Sequence, residues 1–240
     1  MSLAAELQSA LLPEKCPDDC PHQVAAARNR MCKSIGGDFY DFIRINEDQI
    51  VVVIGDVVGH GVRASMVMTR LMGYLHSHME LLARPRHILM MLNRMLIELG
   101  DKIGKVLPCS MLYAVIDAPT GTSFFVNAGH PQPFLCEGDT CRLMPTGKQD
   151  LMLGISQFEP SEGCHTFTTG QRLVLYTDGV TDAEDENGDH FGLDRLQQTI
   201  DCHKGSGPEA CADAAFRDID EFRKGWKQID DETIIVIDRV

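Results

Sequence analysis

The order of its apolar segments constrains the fold of this chain more than any other feature. Strand-like runs follow one another and are interrupted by two pairs of helical stretches. The predicted strands are 22–31, 39–46, 49–55, 109–117, 122–128, 133–136, 140–144, 164–168, 172–177 and 232–239, and the predicted helices are 62–82, 86–100, 191–201 and 208–224. Because strands mostly succeed one another, the pattern disfavours a doubly wound parallel sheet. It indicates two antiparallel sheets packed face to face, each with a helix pair outside.

The composition of the chain argues against several classes of function. The chain has 240 residues, of which 44% are hydrophobic, enough for one large domain. Its net charge of -13, without any notable Lys/Arg run, argues against nucleic acid as a partner. No apolar run approaches the length of a membrane span. Nine scattered cysteines indicate free thiols in a reducing cytoplasm rather than a disulfide framework.

Residues 1–20 are predicted to be a linker that precedes the main domain at 21–240. A short amphipathic helix is expected over 3–12, and its apolar face consists of Leu3, Leu7, Leu11 and Leu12. Two interpretations carry equal weight: the helix continues from an upstream domain, or it packs on its own domain. The Pro- and Cys-rich connector that follows contains Cys16 and Cys20, whose spacing matches no standard zinc site, so ordinary thiols are expected there.

Acidic residues flank several of the predicted strands. Those that directly follow or precede an apolar run are Asp38, Asp56, Asp178, Asp230 and Asp231. If these strands share one sheet, three or four carboxylates converge at its end and repel one another. Divalent cations resolve this conflict, and Mg²⁺ and Mn²⁺ prefer carboxylate and carbonyl oxygens. Two such cations held by shared carboxylates are typical of sites that hydrolyse phosphoryl groups.

Five motifs around these acids resemble, in the same order, the signatures of one enzyme family. They are GGDFYDF at 36–42, GDVVGHGVRA at 55–64, VNAGHPQP at 126–133, LYTDGVTDA at 175–183 and DDETI at 230–234. The resemblance is to the SpoIIE-like branch of the metal-dependent protein serine/threonine phosphatases, within the protein phosphatase 2C (PP2C) superfamily. It covers roughly residues 20–240. It implies an α+β fold, a four-layer α-β-β-α sandwich of two mainly antiparallel sheets flanked by helix pairs.

The resemblance also implies a site with two Mn²⁺ or Mg²⁺ ions. Carried over position by position, Asp56 bridges both ions, and Asp38 completes the second ion's site with the carbonyl of Val57. Asp178 and Asp230 hold the first ion. The four aspartates are therefore the expected catalytic and metal-binding residues, and Asp231 is expected to support them. A hydroxide bridging the two cations would hydrolyse phosphoserine or phosphothreonine on a protein.

Several residues in or near the motifs depart from the family pattern or are expected to have a structural role rather than a catalytic one. Val58 stands where eukaryotic relatives have a histidine proposed as general acid. Arg28 and Arg30 lie on a strand comparable to one that carries a phosphate-gripping arginine, but nothing in the sequence selects either. His130 is expected to belong to a turn held by side-chain hydrogen bonds. Two further acids that could support a weaker ion, Asp41 and Asp182, are expected to make ordinary hydrogen bonds.

The branch to which this resemblance points commonly acts on a phosphorylated anti-sigma-factor antagonist and sits downstream of a sensor domain. Both partners are expectations from the resemblance alone, and dimerisation through the helix at 3–12 or the segment 62–100 is a hypothesis. The alternative function is a non-catalytic or partner-activated regulatory module that keeps the phosphatase fold. A diguanylate cyclase, suggested by the GGD of the first motif, is disfavoured because Phe39 and Tyr40 replace the Glu-Phe that should follow.

Overall fold

The computed structural model describes residues 3–13, 16, 22–138, 140–146 and 148–240. In chain order its elements are α1 (Leu3–Ser9), β1 (Gln23–Arg30), β2 (Phe39–Arg44), β3 (Gln49–Val57), α2 (Val62–Ser77), α3 (Pro85–Ile103), β4 (Cys109–Asp117), β5 (Thr122–Ala128), β6 (Phe134–Glu137), β7 (Thr140–Leu143), β8 (Glu162–Thr166), β9 (Arg172–Tyr176), α4 (Asp178–Thr181), α5 (Gly192–Cys202), α6 (Pro208–Arg223) and β10 (Glu232–Arg239). They fall into two compact units. Unit 1 comprises the described residues of Met1–Leu12, Ser34–His130 and Thr146–Phe167, and unit 2 those of Pro13–Lys33, Pro131–Pro145 and Thr168–Val240.

Unit 1 contains a five-stranded antiparallel sheet in the order β2-β3-β4-β5-β8. Strand β3, which pairs with a strand on each side, is buried along nearly its whole length, as its unbroken run of β-branched residues predicts. Helices α2 and α3 cover one face of this sheet with leucines and methionines. Their fully buried side chains include Leu71, Leu75, Leu89 and Leu92, which share one cluster with Val51 and Val53 of β3.

Unit 2 contains a second five-stranded antiparallel sheet, in the order β1-β10-β9-β6-β7. Helices α5 and α6 pack on it through a cluster that includes Ile200, Ile219 and Val236. The C-terminal strand β10 lies between β1 and β9, so it joins the first strand of the chain to a late one. Every strand predicted from the sequence is present in the described residues, and the prediction of antiparallel sheets is confirmed.

Two local differences from the predicted elements have physical causes. The helix expected over 62–82 ends at Ser77, where the backbone N–H of His78 turns back to the carbonyl of Leu75 and a 3₁₀ turn follows over Met79–Leu81. Helix α4, which the sequence analysis did not predict, is a single turn that begins at Asp178. Four residues are too few for hydrophobic periodicity to reveal a helix.

Helix α1 packs on unit 1 with the face opposite to its leucines. Leu3 and Leu7 are 71% and 61% exposed, whereas Ala5 and Gln8 are buried. The side chain of Gln8 makes hydrogen bonds with the backbone of Gly36. The helix therefore packs within its own unit, in agreement with one of the two interpretations. Most of the predicted connector, including Cys20, lies outside the described residues.

The expectation that all cysteines are free thiols is wrong for one pair. Cys136 and Cys141 occupy directly opposed positions in the β6–β7 hairpin and form a disulfide. Opposed residues of an antiparallel pair have neighbouring side chains, which a search for regular cysteine spacing does not detect. The free thiols among the described residues are Cys16, Cys32, Cys109, Cys164, Cys202 and Cys211.

Within the described ranges, every helix is too short or too polar to span a membrane.

Candidate metal-binding site

Asp38 and Asp56, two of the four predicted ligands, lie next to each other in unit 1. Strands β2 and β3 pair antiparallel with Phe39 opposite Gly55, which places the preceding Asp38 beside the following Asp56. The backbone N–H of Val57 donates to the carbonyl of Gly37 at 3.3 Å and extends this pairing beyond the strand. Asp38 is buried and Asp56 is half-buried. The β2–β3 hairpin thus fixes both carboxylates at one end of the sheet.

Gly37 leaves room beside these oxygen atoms. A Cβ added at Gly37 would lie 2.5 Å from the carbonyl oxygen of Val57 and 3.0 Å from Oδ1 of Asp56. The same position is 3.2 Å from Cβ of Ala64, in the first turn of α2. Any side chain here would displace the backbone or fill the space next to both oxygens. Glycine is therefore required for the close approach of this segment to Asp56 and Val57.

Cys109 lies close to the same pair of acids. Burial raises the pKa of its thiol well above the ordinary value, and the nearby carboxylates of Asp56 and Asp38 raise it further. The side chain is fully buried at the start of β4, opposite Val57 in the ladder. A raised pKa disfavours the thiolate, which is the form of cysteine that binds metals. The donors offered here are oxygen atoms.

Asp178 and Asp230, the other predicted ligands, are neighbours in unit 2. Strands β9 and β10 pair with Tyr176 opposite Ile234, and two hydrogen bonds between Thr177 and Thr233 continue that pairing. Asp178 follows Thr177 directly and begins α4, while Asp230 precedes β10. Residues far apart in the sequence are thus brought together by strand pairing.

Gly179 allows the close contact between these two segments. An added Cβ at this position would overlap the carbonyl oxygen of Asp231 and lie 3.4 Å from Cβ of Asp230. Thr177 and Gly179 stand in the fourth motif, but no positioning role was predicted for them; the buried hydroxyl of Thr177 accepts the backbone N–H of Thr233. A glycine next to a strand-end acid, present at both Gly37 and Gly179, is the signal that could have revealed this requirement.

The carboxyl group of Asp178 lies in a setting that disfavours its charged form. Partial burial of its carboxyl group raises the pKa of Asp178, although the residue as a whole is exposed, and the carboxylate of Asp182 raises it further. Asp231 is buried, and its Oδ1 accepts the backbone N–H of Cys32 at 2.7 Å. Burial, followed by the charges of Asp231 and Asp230, raises the pKa of the Cys32 thiol. Asp231 thus fixes the neighbouring backbone, in keeping with a supporting role.

The other candidate residues have structural partners. Asp41 accepts a hydrogen bond from the backbone of Phe42, and its Oδ2 lies 2.7 Å from Nε2 of His76. Asp182 lies 4.0 Å from Nδ1 of His190. The two arginines considered for phosphate binding pair with carboxylates of α6, Arg28 with Asp213 at 2.6 Å and Arg30 with Asp220 at 2.5 Å.

His130 lies in a turn that side chains hold in place. Its backbone N–H donates to Oδ1 of Asn127 at 2.8 Å, and its carbonyl accepts from Nδ2 of Asn127 and from Gln149. The imidazole is buried and its Nδ1 lies 2.9 Å from Oγ of Ser110. These contacts agree with the turn predicted from the sequence.

The donor sets suit hard divalent cations. Each unit supplies two carboxylates, and unit 1 adds the Val57 carbonyl beside the space left by Gly37. Oxygen donors of this kind fit Mg²⁺ and Mn²⁺. In the part of the chain that the structure describes, no group of three or more His, Cys, Asp and Glu side chains is arranged to hold a metal ion. Convergence of all four aspartates around shared ions stays a prediction.

Comparison with known proteins identifies one bacterial family over most of the chain. Residues 46–240 match the family described as stage II sporulation protein E (SpoIIE). The chain is 28% identical to Protein IcfG of Synechocystis sp. over 98% of its own length and 40% of that protein. It is 26% identical to the phosphoserine phosphatase RsbU of Bacillus subtilis over 100% of its own length and 70% of RsbU. The chain thus spans less than half of IcfG and about two thirds of RsbU.

Solved structures with the same fold include phosphatase domains. The PP2C domain of SiaA from Pseudomonas aeruginosa has a TM-score of 0.83 at 19% identity, over 98% of this chain and 94% of that domain. RsbX in complex with magnesium has a TM-score of 0.65 at 12% identity, over 91% and 96% of the two chains. At these identities the likeness concerns the fold alone. It confirms the predicted fold class, an α+β sandwich of the PP2C type.

Proposed function

This chain belongs to the SpoIIE family, the branch of metal-dependent protein serine/threonine phosphatases predicted from its motifs, and we propose that it removes phosphate from phosphoserine or phosphothreonine of a regulatory protein. The observation that supports this most is the arrangement at Gly37. A Cβ added there would crowd the carbonyl oxygen of Val57 and a carboxylate oxygen of Asp56, so these oxygens lie against the segment that leads directly to the second carboxylate at Asp38.

We propose that two Mn²⁺ or Mg²⁺ ions bind to the predicted aspartates. Asp38, Asp56 and the Val57 carbonyl would hold one ion, and Asp178 and Asp230 the other, with Asp56 shared between them. When bound, the ions would supply a nucleophile at neutral pH and neutralise charge on the phosphate oxygens. Support comes from the oxygen-only donors and from the raised pKa of Asp178, since a cation would relieve the repulsion from Asp182.

The chain's own residues would hold these donors in position. Pairing of β2 with β3 fixes Asp38 and Asp56, and the hydrogen bonds between Thr177 and Thr233 fix the segments of the other pair. Val58 offers no acid to the departing serine oxygen, and its side chain is half exposed. The substrate's leaving oxygen would therefore take its proton from solvent.

We propose the substrate and the partners of this chain by analogy with its relatives. RsbU carries the name phosphoserine phosphatase, and a phosphorylated anti-sigma-factor antagonist is the substrate that we propose for this chain. Because the chain spans only part of its relatives, an upstream sensor domain or protein is proposed as the source of regulation. We place this reaction in the cytoplasm, and self-association into a homodimer remains a hypothesis.

The proposal is tested by metal-dependent phosphate release. Purified chain is incubated with p-nitrophenyl phosphate and with a phosphoserine protein, with Mn²⁺ or with EDTA. Hydrolysis should require Mn²⁺, and Asp56→Asn and Asp178→Asn should each lower kcat/KM by more than about 100-fold, since loss of even an outer-shell partner costs about 10- to 100-fold. The control is Asp194→Asn, an exposed acid on α5.

Two results would contradict the proposal. Full activity in EDTA would exclude a metal-dependent reaction, and full activity of Asp56→Asn would exclude this set of ligands. If the wild-type chain binds Mn²⁺ but hydrolyses neither substrate, the alternative of a partner-activated or non-catalytic module is favoured instead.

A further inference from the structure

The buried amide of Gln8 is a polar feature that the proposed function leaves unexplained. Gln8 lies on α1, and it is only 4% exposed while the leucines of the same helix face solvent. Burying an amide without hydrogen bonds is costly, so a buried glutamine is expected to be bound to specific partners. The partners of Gln8 are therefore informative.

Gln8 binds both backbone groups of Gly36. Its Nε2 donates to the Gly36 carbonyl at 3.0 Å, and the Gly36 N–H donates to its Oε1 at 3.1 Å. This double contact is directional, because the side-chain amide and the peptide group must face each other. Gly36 stands two residues before Asp38. The contact thus fixes the backbone just before Asp38, one of the predicted metal ligands.

The same amide oxygen reaches helix α2. Oγ of Ser65 donates to Oε1 of Gln8 at 3.3 Å, and Ser65 is itself buried. Ser65 lies in the first turn of α2, next to Ala64, which faces Gly37. Helix α2 begins shortly after Asp56 and Val57. One side chain therefore connects α1, the segment before Asp38 and the helix that follows Asp56.

We infer that Gln8 is a positioning residue for the Asp38 and Asp56 pair and thereby sets the affinity of unit 1 for a divalent cation. The inference rests on the proposed function. The segment that it holds contains Gly36 and Gly37, which have no side chains to anchor it and lose more conformational freedom on ordering than other residues. When Gln8 supplies the hydrogen bonds, this ordering is complete before the cation binds. Without Gln8, the cation must order the segment itself, and its affinity falls.

The test is a Mn²⁺ titration of the full chain, in which the electron paramagnetic resonance signal reports free Mn²⁺. Gln8→Ala and Gln8→Leu should bind Mn²⁺ about 10- to 100-fold more weakly than wild type, the range for outer-shell partners. Ser65→Ala should have a smaller effect, because it keeps both bonds to Gly36. Ser9→Ala, an exposed neighbour on the same helix, should bind as wild type does.

A kinetic readout separates positioning from general destabilisation. With p-nitrophenyl phosphate, the Gln8 variants should need more Mn²⁺ for half-maximal activity, while kcat at saturating Mn²⁺ stays close to wild type. Weak binding accompanied by a kcat that excess Mn²⁺ does not restore would overturn the inference. So would Gln8 variants that bind Mn²⁺ as tightly as Ser9→Ala.

The remaining outcomes are also decisive. If Gln8→Ala does not fold, Gln8→Leu, which keeps the side-chain volume, and Ser65→Ala decide the question, and unchanged Mn²⁺ affinity in both counts against it. A wild-type chain that binds no Mn²⁺ overturns both the proposed function and this inference. A wild-type chain that binds Mn²⁺ and hydrolyses phosphate, with unaffected Gln8 variants, overturns this inference alone.

Discussion

The two units attach their helices to their sheets by different means. In unit 1, α2 and α3 pack through fully buried hydrocarbon side chains such as Leu71 and Leu89. In unit 2, α6 also binds β1 and β10 through charged pairs, which are Arg28 with Asp213, Arg30 with Asp220 and Arg223 with Glu232. Unit 1 therefore depends mainly on how well apolar shapes fit, whereas unit 2 depends also on the buried pair of Arg223 and Glu232 staying together.

The two pairs of predicted metal-binding aspartates also differ in how strand pairing brings them together. Asp38 and Asp56 belong to one hairpin, so local pairing of β2 with β3 brings them together. Asp178 and Asp230 meet only when β10 has paired with β9. Both pairs nevertheless share a glycine at the point of close approach and a nearby thiol whose pKa is raised. Two unrelated stretches of chain thus bring carboxylate oxygens together in a similar way.

The largest effect is expected from Arg223→Ala in unit 2. Glu232 is 1% exposed, and burial raises the pKa of its carboxyl group while Arg223 opposes that shift. Removing Arg223 leaves the buried carboxylate with only the more distant Arg30, 3.7 Å away, so the free energy of unfolding should fall by up to about 3–5 kcal/mol. Hydrogen exchange of the β10 amides measures this loss in unit 2.

A matched double variant sharpens this prediction. Arg223→Met with Glu232→Leu removes both charges and should recover most of the lost stability, since an apolar pair can replace a buried ion pair. Equal destabilisation in the double variant would show that volume, not charge, holds α6 in place.

A somewhat smaller effect is expected from Leu89→Ala in unit 1. Leu89 is fully buried in the α2–α3 cluster, and loss of a buried leucine side chain should lower the free energy of unfolding by about 3 kcal/mol. The loss should be the same at low and high salt, as measured by denaturant titration with exposed Leu193→Ala as control. A strong dependence on salt would contradict the proposed difference between the units.

The smallest effect concerns Asp41, the acid that links the sheet of unit 1 to α2 through His76. Burial raises the pKa of Asp41 above its ordinary value of 3.8, although His76 lowers it in part. A raised folded pKa means that the folded state holds the proton more tightly, so this contribution to stability is present below pH 3.8 and is lost as pH rises through the folded pKa.

The difference in stability between wild type and Asp41→Asn, followed as a function of pH, measures this contribution. Relative to Asp41→Asn, which does not titrate, wild type should lose stability as pH rises above 3.8. Denaturant titrations at several acidic pH values follow the difference. A difference that stays constant, or grows with pH, would show that the His76 contact outweighs burial.

Most of the fold could be predicted from the sequence because its signals are local. Apolar runs such as 50–54 and 173–176 identify strands, and the glycine-flanked acids after them identify the strand ends. Strand order could not be read in this way, because the pairing of β1 with β10 joins opposite ends of the chain. The solvent-facing leucines of α1 were unpredictable for a related reason: the buried face of this helix carries Gln8, whose hydrogen-bond partners Gly36 and Ser65 lie far away in the sequence.

The candidate site was predictable to the level of residue types. The five motifs identify the four aspartates, and the structure pairs them two by two. The partners of Arg28 and Arg30, Asp213 and Asp220, lie far away in sequence, so sequence alone could not decide whether the arginines were free for phosphate. The Cys136–Cys141 disulfide was missed because hairpin register, not cysteine spacing, brings the two sulfur atoms together.

The proposed metal centre needs both aspartate pairs to bind common ions, and crystals of the chain soaked in Mn²⁺ test this most directly. An anomalous difference map should show two manganese peaks, one beside Asp38, Asp56 and the Val57 carbonyl and one beside Asp178 and Asp230, with Asp56 contacting both. Manganese peaks bound by other residues, or two acid pairs that bind no common centre, would contradict the account.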